Sequence, residues 1–245
     1  MKIPMPCMSC FAEQGYPSNE FHLLEFNDNG KYEVRCKKGH KSIVVLQQQK
    51  FEILFEIGAN AIIDGYYREA VSSFTSSLER FYEFCMKVLC KKRGIDTEVF
   101  TDGWKQVANQ SERQLGAFLF LWISEFGEVP KLLPNTETSF RNSVIHKGKI
   151  PTREEVLRYG NLILLLVREK ITELKATCAD EVSNITMEHI CNTSKINGGQ
   201  ISGGTMHLGT IINLVTNENS EAETLECALQ RMNEMRERIR NVDPM

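Results

Sequence analysis

Between about residues 46 and 175, apolar residues recur three and four positions apart, the spacing of one face of an α-helix. Helices are predicted over these approximate ranges: 51–62, 66–93, 102–108, 111–126, 139–147 and 152–175. Glycine or proline follows most of these ranges and indicates where each helix ends. No strand pattern occurs between residues 50 and 175, so we expect a mainly α protein with an up-and-down bundle of four or five helices.

The first 45 residues contain short apolar runs that are typical of β-strands. Two such runs, 21–26 and 32–35, flank the turn-forming residues 27–30, Asn-Asp-Asn-Gly. This pattern predicts a β-hairpin that carries Cys36 to a position opposite Cys7 and Cys10.

Three cysteines and a histidine in this region have the spacing of two zinc knuckles, Cys7-x2-Cys10 and Cys36-x3-His40. Zn²⁺ prefers a tetrahedron of sulfur and nitrogen ligands, and the second knuckle resembles the Cys-x-x-Gly-His form of zinc ribbons. We therefore expect structural Zn²⁺ bound by all four side chains, with no open position for a catalytic water. His22 is an alternative fourth ligand.

The last third of the chain has a different character. Residues 176–205 are polar and glycine-rich and predict a loop, an apolar run follows at 208–215, and 221–240 has the period of an amphipathic helix. That helix either binds a protein partner or packs back on the bundle. The expected domains are a zinc ribbon at 1–45, a helical bundle at 48–175, and a linker with the C-terminal helix at 176–245. As a second metal site in the tail, Cys178, His189, Cys191 and His207 do not have the spacing of a zinc knuckle.

Composition narrows the class of protein. The chain has 245 residues, of which 42% are hydrophobic and 25% charged, which excludes wholesale disorder. Its longest apolar run, 115–123, is far shorter than the ~20 residues that span a bilayer, and the N-terminus lacks the apolar core of a signal peptide. We therefore expect a cytoplasmic protein without a membrane segment.

The net charge of −3 excludes a global basic field for nucleic acid, so any such binding depends on local patches. Lys37 and Lys38 belong to a basic run beside the second knuckle. This run is either a solvated surface or a site of contact with phosphates.

One predicted helix carries candidate chemistry in the segment Phe140-Arg-Asn-Ser-Val-Ile-His-Lys-Gly148. Asn142 and His146 are four residues apart and share a helix face, and Arg141 is long enough to reach the same concavity. A guanidinium binds phosphate oxygens with two hydrogen bonds, and an imidazole transfers protons near neutral pH. Lys147 and Lys149 lie beside them as candidate RNA-binding residues. The alternative is ordinary surface charge at a helix end.

This motif, near the end of a helical bundle, resembles that of the HEPN superfamily. In that motif four to six residues separate an Arg from a His, and the first of them is usually polar. The resemblance covers about residues 48–175 and does not extend to the zinc ribbon or the tail. It implies a metal-independent endoribonuclease that works as a homodimer and leaves 2′,3′-cyclic phosphate ends on tRNA or mRNA. It also implies a role in toxin–antitoxin or antiviral, anti-phage systems.

The resemblance also implies roles for individual residues. His146 would be the general acid or base, Arg141 would stabilise the charge on phosphorus, and Asn142 would orient His146 or bind phosphate. Glu79 is an additional polar candidate. The alternative function is a noncatalytic RNA- or protein-binding adaptor that works through the zinc ribbon and the C-terminal helix. A zinc hydrolase is disfavoured because no further metal-binding motif is present, and no phosphate-binding glycine loop indicates NTP hydrolysis.

Overall fold

The computed structural model describes residues 2–16, 20–194, 202–215 and 223–242. Over these residues the chain is mainly helical, as predicted, with eight helices and five strands. In chain order they are β1 (Lys2–Pro6), α1 (Met8–Gln14), β2 (Phe21–Glu25), β3 (Lys31–Arg35), β4 (Lys41–Leu46), α2 (Lys50–Ile63), α3 (Tyr67–Lys92), α4 (Thr97–Val107), α5 (Ser111–Phe126), α6 (Asn135–Lys147), α7 (Arg153–Ser194), β5 (Ser202–Met206) and α8 (Leu225–Val242).

The chain forms two compact units. The zinc-ligand unit, named for the Cys and His residues it carries, comprises Met1–Gln49 and Ser183–Gly209. The helical unit comprises Lys50–Val182 and Thr210–Met245. This division differs from the predicted 1–45, 48–175 and 176–245 because residues 183–209 group with the N-terminal unit rather than with the C-terminal helix.

Helix α3 lies at the centre of the helical unit and packs against α2, α4, α5 and α6. One face of α3 is buried because its apolar residues recur at helical spacing, and the Phe74 ring lies 4.7 Å from the Phe55 ring of α2. Gly160 of α7 permits close packing on α3, since a Cβ atom there would lie 2.8 Å from the Phe74 ring. The Tyr159 and Thr75 hydroxyls are 2.9 Å apart and join the same two helices.

Helix α7 is longer than the sequence predicted. The predicted loop over 176–205 is wrong for 176–194, which are helical, and for 202–206, which form a strand. Cys178, Val182 and Ile185 are buried at helical intervals, a period that the polar composition of the segment concealed. The helix is kinked at Cys178, where φ is −135° and ψ is 36°, and Lys92 donates a hydrogen bond to the neighbouring Thr177 carbonyl.

Two buried carboxylates of α2 bind the chain that follows β5. Glu52 accepts a hydrogen bond from the Leu214 amide at 2.9 Å, and Glu56 accepts one from the Ile211 amide at 3.2 Å. Burial raises the pKa of Glu56 to about 7, against the lowering effects of that hydrogen bond and of nearby arginines. Segment 210–214 is therefore fixed to the bundle by backbone donors that sequence periodicity does not reveal.

Helix α8 packs back on the bundle through its first turns. Leu225, Ala228 and Leu229 are buried, and α8 contacts α2. Further along α8, Arg236 forms an ion pair with Asp64 at 2.7 Å. The alternatives for this helix were binding of a protein partner or packing on the bundle, and its N-terminal half packs on the bundle.

The zinc-ligand unit contains two small sheets. Strand β1 pairs antiparallel with β2, while β3 pairs antiparallel with β4 and β4 pairs parallel with β5. A small N-terminal β-hairpin is thus confirmed, but its predicted pairing across residues 27–30 is wrong. The hairpin turn is Cys36–His40, because β4, whose last five residues are buried, offers β3 a more deeply buried partner than β2 does.

Strand β5 joins this unit from far along the chain. Gly204 lies opposite Val44 of β4, and a Cβ atom at Gly204 would meet the Met8 side chain of α1 at 2.7 Å. The glycine-rich composition that suggested a loop therefore serves close packing of α1 over a strand. Among the described helices, none has an apolar stretch long enough to cross a membrane.

The buried Glu56 carboxyl predicts a pH-dependent stability. Because its folded pKa of about 7 exceeds the unfolded value near 4.5, the folded state binds the proton more tightly, and stability falls as pH rises between these values. We expect Glu56→Gln, which keeps an acceptor for the Ile211 amide, to remove a loss of about 3 kcal/mol between pH 4.5 and 7.5. Urea unfolding of wild type and variant at both pH values measures the difference. Parallel pH profiles for the two proteins would contradict it.

Candidate functional site

Cys7, Cys10, Cys36 and His40 form a cluster with the geometry of a metal centre. Their ligand atoms all lie within 4.8 Å of one another. The Cys10 and Cys36 sulfurs are 3.7 Å apart, close to the ~3.8 Å edge of a tetrahedron with Zn–S bonds of ~2.3 Å. The Cys10 sulfur is 3.3 Å from His40 Nδ1. The four predicted residues are therefore close enough to bind one metal ion, and three sulfurs with one imidazole fit structural Zn²⁺.

Two backbone turns position these ligands. Cys7 immediately precedes α1, and its carbonyl accepts a hydrogen bond from the Phe11 amide, so Cys7 and Cys10 project from one end of that helix. Cys36 and His40 flank the β3–β4 turn, which is closed by a bond from the Gly39 amide to the Cys36 carbonyl. Gly39 has a φ of +84°, a conformation that favours glycine.

Residues around the cluster orient His40 and favour the ionised form of Cys7. Glu13 Oε1 lies 3.1 Å from His40 Nε2, which leaves Nδ1 directed at the sulfurs. The Ser42 hydroxyl donates to the Cys7 sulfur at 3.7 Å. Burial opposes ionisation of Cys7, but hydrogen bonds from the Cys10 backbone amide and from Ser42 outweigh it and lower its pKa to about 6. A thiolate formed this readily competes well for a dication at neutral pH.

No other described residue belongs to the cluster. His22, the alternative fourth ligand, pairs with Met5 in the β1–β2 ladder and is outside the group of four. His189 directs Nε2 at the Leu46 carbonyl, 3.2 Å away. Within the described chain the Cys/His group near the N-terminus is the one set of cysteines and histidines that could bind a metal ion.

A second candidate site is a cleft of about 340 Å³ in the helical unit. Its walls come from α3, from the α4–α5 junction with the start of α5, and from α6. The residues that line it are Ser72, Thr75, Ser76, Glu79, Arg80, Ala108, Asn109, Ser111, Gln114, Arg141, Ile145 and His146. The structure thus brings Arg141 and His146 to one concavity.

The Arg141 side chain has two polar partners. Its Nη1 donates to Asn142 Oδ1 at 2.9 Å, its Nη2 is 3.8 Å from Glu79 Oε1, and its buried Nε has no hydrogen-bond partner. Burial raises the pKa of the Glu79 carboxyl, although Arg141 and Arg80 oppose that rise. Glu79 is therefore protonated more readily than an exposed glutamate.

Helix α6 is anchored by Phe140 and Val144, which are buried, so that its polar residues remain accessible. His146 lies in the last turn of α6 and is exposed. Ile145, which follows Val144 directly, lines the cleft. Asn142 is not among the described residues that line the cleft. Its side-chain oxygen instead accepts the hydrogen bond from Arg141.

The four predicted RNA-binding lysines are all exposed, and three of them have carboxylate partners. Lys37 is 3.3 Å from Glu20, Lys38 is 3.8 Å from Glu13, and Lys149 is 2.5 Å from Glu155. Exposed ion pairs of this kind contribute only ~0–1 kcal/mol, so a phosphate group could displace them. Lys147 follows His146 directly in the chain.

Sequence reasoning missed the second wall of the cleft. Arg80 reaches the cleft from α3, Asn109 from the α4–α5 junction, and Ser111 from the start of α5. Arg80 follows Glu79 directly, and its position next to that candidate was the available signal. Asn109 and Ser111 had no such signal, because their contribution depends on how α5 packs against α3.

The metal centre makes a prediction about composition and affinity. We expect purified protein to contain about one zinc ion per chain, and Cys36→Ser to lose it because one of four ligands is removed. Glu13→Gln should weaken zinc binding about 10- to 100-fold, since Glu13 orients His40. Elemental analysis and competition with a coloured chelator measure both effects. The matched control is Cys191→Ser, an exposed cysteine outside the cluster. Full zinc content in Cys36→Ser would contradict the assignment.

Comparison of the chain with protein-family models, with curated proteins and with solved structures found no match. Its function is therefore inferred from the side chains of the two candidate sites and from the resemblance of the Arg141–His146 motif.

Proposed function

We propose that the helical unit is a HEPN-type endoribonuclease that cleaves RNA without a catalytic metal ion. The observation that carries this proposal is that Arg141 and His146 line one cleft. In the proposed reaction the 2′-hydroxyl of RNA attacks the adjacent phosphorus. The products are a 2′,3′-cyclic phosphate and a 5′-hydroxyl.

Arg141 suits the role of binding the phosphate. Its planar guanidinium can donate two hydrogen bonds to a phosphate, and its contacts with Asn142 and Glu79 fix its orientation before substrate binds. Negative charge grows on the nonbridging oxygens during attack, and a fixed cation beside them stabilises the transition state more than the substrate. In this proposal Asn142 positions Arg141 rather than touching the substrate.

His146 suits the role of moving protons. Attack requires one group to accept the proton of the 2′-hydroxyl and another to give a proton to the leaving 5′-oxygen. Among the described lining residues of the cleft there is one imidazole. A homodimer that joins two clefts would supply the second proton carrier as His146 of the partner subunit.

The remaining features have supporting roles in the proposal. In this proposal Zn²⁺ has a structural role in the zinc-ligand unit. It would not be catalytic, because four protein ligands leave no coordination position for a reacting water. The exposed lysines Lys37, Lys38, Lys147 and Lys149 contact RNA phosphates. A cytoplasmic toxin or anti-phage effector acting on tRNA or mRNA is the biological setting that the HEPN resemblance favours.

A noncatalytic adaptor is the second candidate function. The observation that favours it is the exposure of three apolar side chains of the zinc-ligand unit: Tyr16 is 64%, Phe21 51% and Leu23 50% exposed. Phe21 and Leu23 lie two residues apart on β2, so they share one face. An adaptor of this kind would bind RNA or protein there and would not need Arg141 or His146.

The nuclease proposal predicts cleavage in the presence of a chelator. We expect the protein to cut tRNA or mRNA in excess EDTA and to leave cyclic phosphate ends, whereas RNA that is 2′-deoxy at the cut site resists. His146→Ala should lower the rate about 10²- to 10⁴-fold because proton transfer is lost. Arg141→Lys should lower it about 10²-fold because a lysine cannot replace the planar guanidinium.

Arg158→Lys is the matched control, since Arg158 is exposed on α7, pairs with Glu137 and does not line the cleft. Circular dichroism and zinc content measured in the same buffer show whether EDTA has unfolded the zinc-ligand unit. Cleavage that is unchanged in His146→Ala contradicts the proposed site. RNA binding without cleavage by the folded protein, unchanged in both variants, favours the adaptor.

A further inference from the structure

Arg80 is a second cation in the cleft, and it is held differently from Arg141. Its side chain is 25% exposed and lines the cleft beside Glu79. The Cζ atom of Arg80 lies over the Trp104 ring, 5.4 Å from its centroid. This distance places the Arg80 guanidinium in a cation–π contact with the indole ring.

The terminal nitrogens of Arg80 are also engaged. Nη1 donates to Glu83 Oε2 at 2.6 Å, and Nη2 donates to Gln114 Oε1 at 3.1 Å. Gln114 is itself buried, and its Nε2 donates to the Ala108 carbonyl at 2.5 Å. These hydrogen bonds fix the plane of the Arg80 guanidinium. They leave its terminal nitrogens poorly placed to bind a phosphate with two hydrogen bonds.

Arg80 lines the cleft while both of its terminal nitrogens are engaged, so the surface that it offers a ligand is the plane of its guanidinium. A planar, fixed guanidinium face suits the flat face of a nucleobase, because unpaired bases stack on arginine planes as they do on aromatic rings. We propose that Arg80 forms a nucleobase-stacking subsite for the nucleotide next to the phosphate bound by Arg141. The subsite rests on the proposed function, because its ligand is single-stranded RNA.

The other residues of the cleft are consistent with phosphate binding by Arg141 and base stacking by Arg80. Arg141 and His146 come from α6, whereas Asn109 and Ser111 come from the α4–α5 junction and the start of α5, where an amide and a hydroxyl could hydrogen-bond a base edge. The volume of about 340 Å³ falls within the ~300–1,000 Å³ of small-ligand pockets. Stacking accepts any base, so Arg80 would increase affinity for bases without selecting one sequence.

The experiment measures how much the bases contribute to binding, with and without the Arg80 plane. The probes are a fluorescent single-stranded 2′-fluoro oligoadenylate and the same backbone without bases; neither has a 2′-hydroxyl that can attack phosphorus. Fluorescence anisotropy gives the Kd of each probe for wild type and for Arg80→Lys, which keeps the charge but loses the plane. Arg68→Lys is the matched control, since Arg68 lies on the same helix, is exposed and does not line the cleft.

We expect the ratio of the two Kd values, without bases over with bases, to be about tenfold larger in wild type and Arg68→Lys than in Arg80→Lys. Binding of the probe without bases should be the same in all three proteins. Equal ratios in wild type and Arg80→Lys would overturn the inference, as would equal loss of both probes, which would indicate distortion of the cleft. Failure of wild type to bind the oligoadenylate would overturn it as well.

Failure of this inference is distinguishable from failure of the proposed function. Cleavage that depends on His146, together with equal Kd ratios, would keep the nuclease and reject the stacking subsite. A ratio that falls in Arg80→Lys, in a protein that cleaves no RNA, would keep the subsite and reject the nuclease.

Discussion

The buried face of α3 is the constraint on which the helical unit depends. Phe74, Phe81 and Val88 of this helix are fully buried, and α2, α4, α5 and α6 all pack against it. Because the side chains of a helix repeat every 3.6 residues, fixing this face also fixes the direction of Glu79 and Arg80 on another. The core of α3 therefore determines one wall of the cleft, and the packing of α6 on α3 determines the other.

In the zinc-ligand unit the constraint is the small size of the two sheets. Its strands are only five or six residues long, and a two-stranded sheet such as that of β1 and β2 is at best marginally stable alone. Four ligands at two turns, Cys7 with Cys10 and Cys36 with His40, could be joined by one metal ion. Strand β5 and the end of α7 add to the same unit, so its core is drawn from both ends of the chain.

Within the cleft, each charged group is oriented by a neighbour. Asn142 and Glu79 orient Arg141, while Gln114 and Trp104 orient Arg80. Groups held in place before a substrate binds lose little entropy when it arrives, which is the physical advantage of such a site for transition-state stabilisation. The proposed nuclease and its base-stacking subsite both depend on this rigidity.

Local patterns in the sequence determined the helices between residues 50 and 175, the four metal-ligand candidates, and the position of Arg141 and His146 on one helix. Such features depend on spacing within a few residues, which periodicity and turn chemistry express directly. The tertiary structure alone decided that β3 pairs with β4, that Gly203 and Gly204 lie in a strand, and that Arg80 and Arg141 line one cleft. These contacts join residues distant in the chain, and their free energy comes from packing and buried hydrogen bonds that no local pattern encodes.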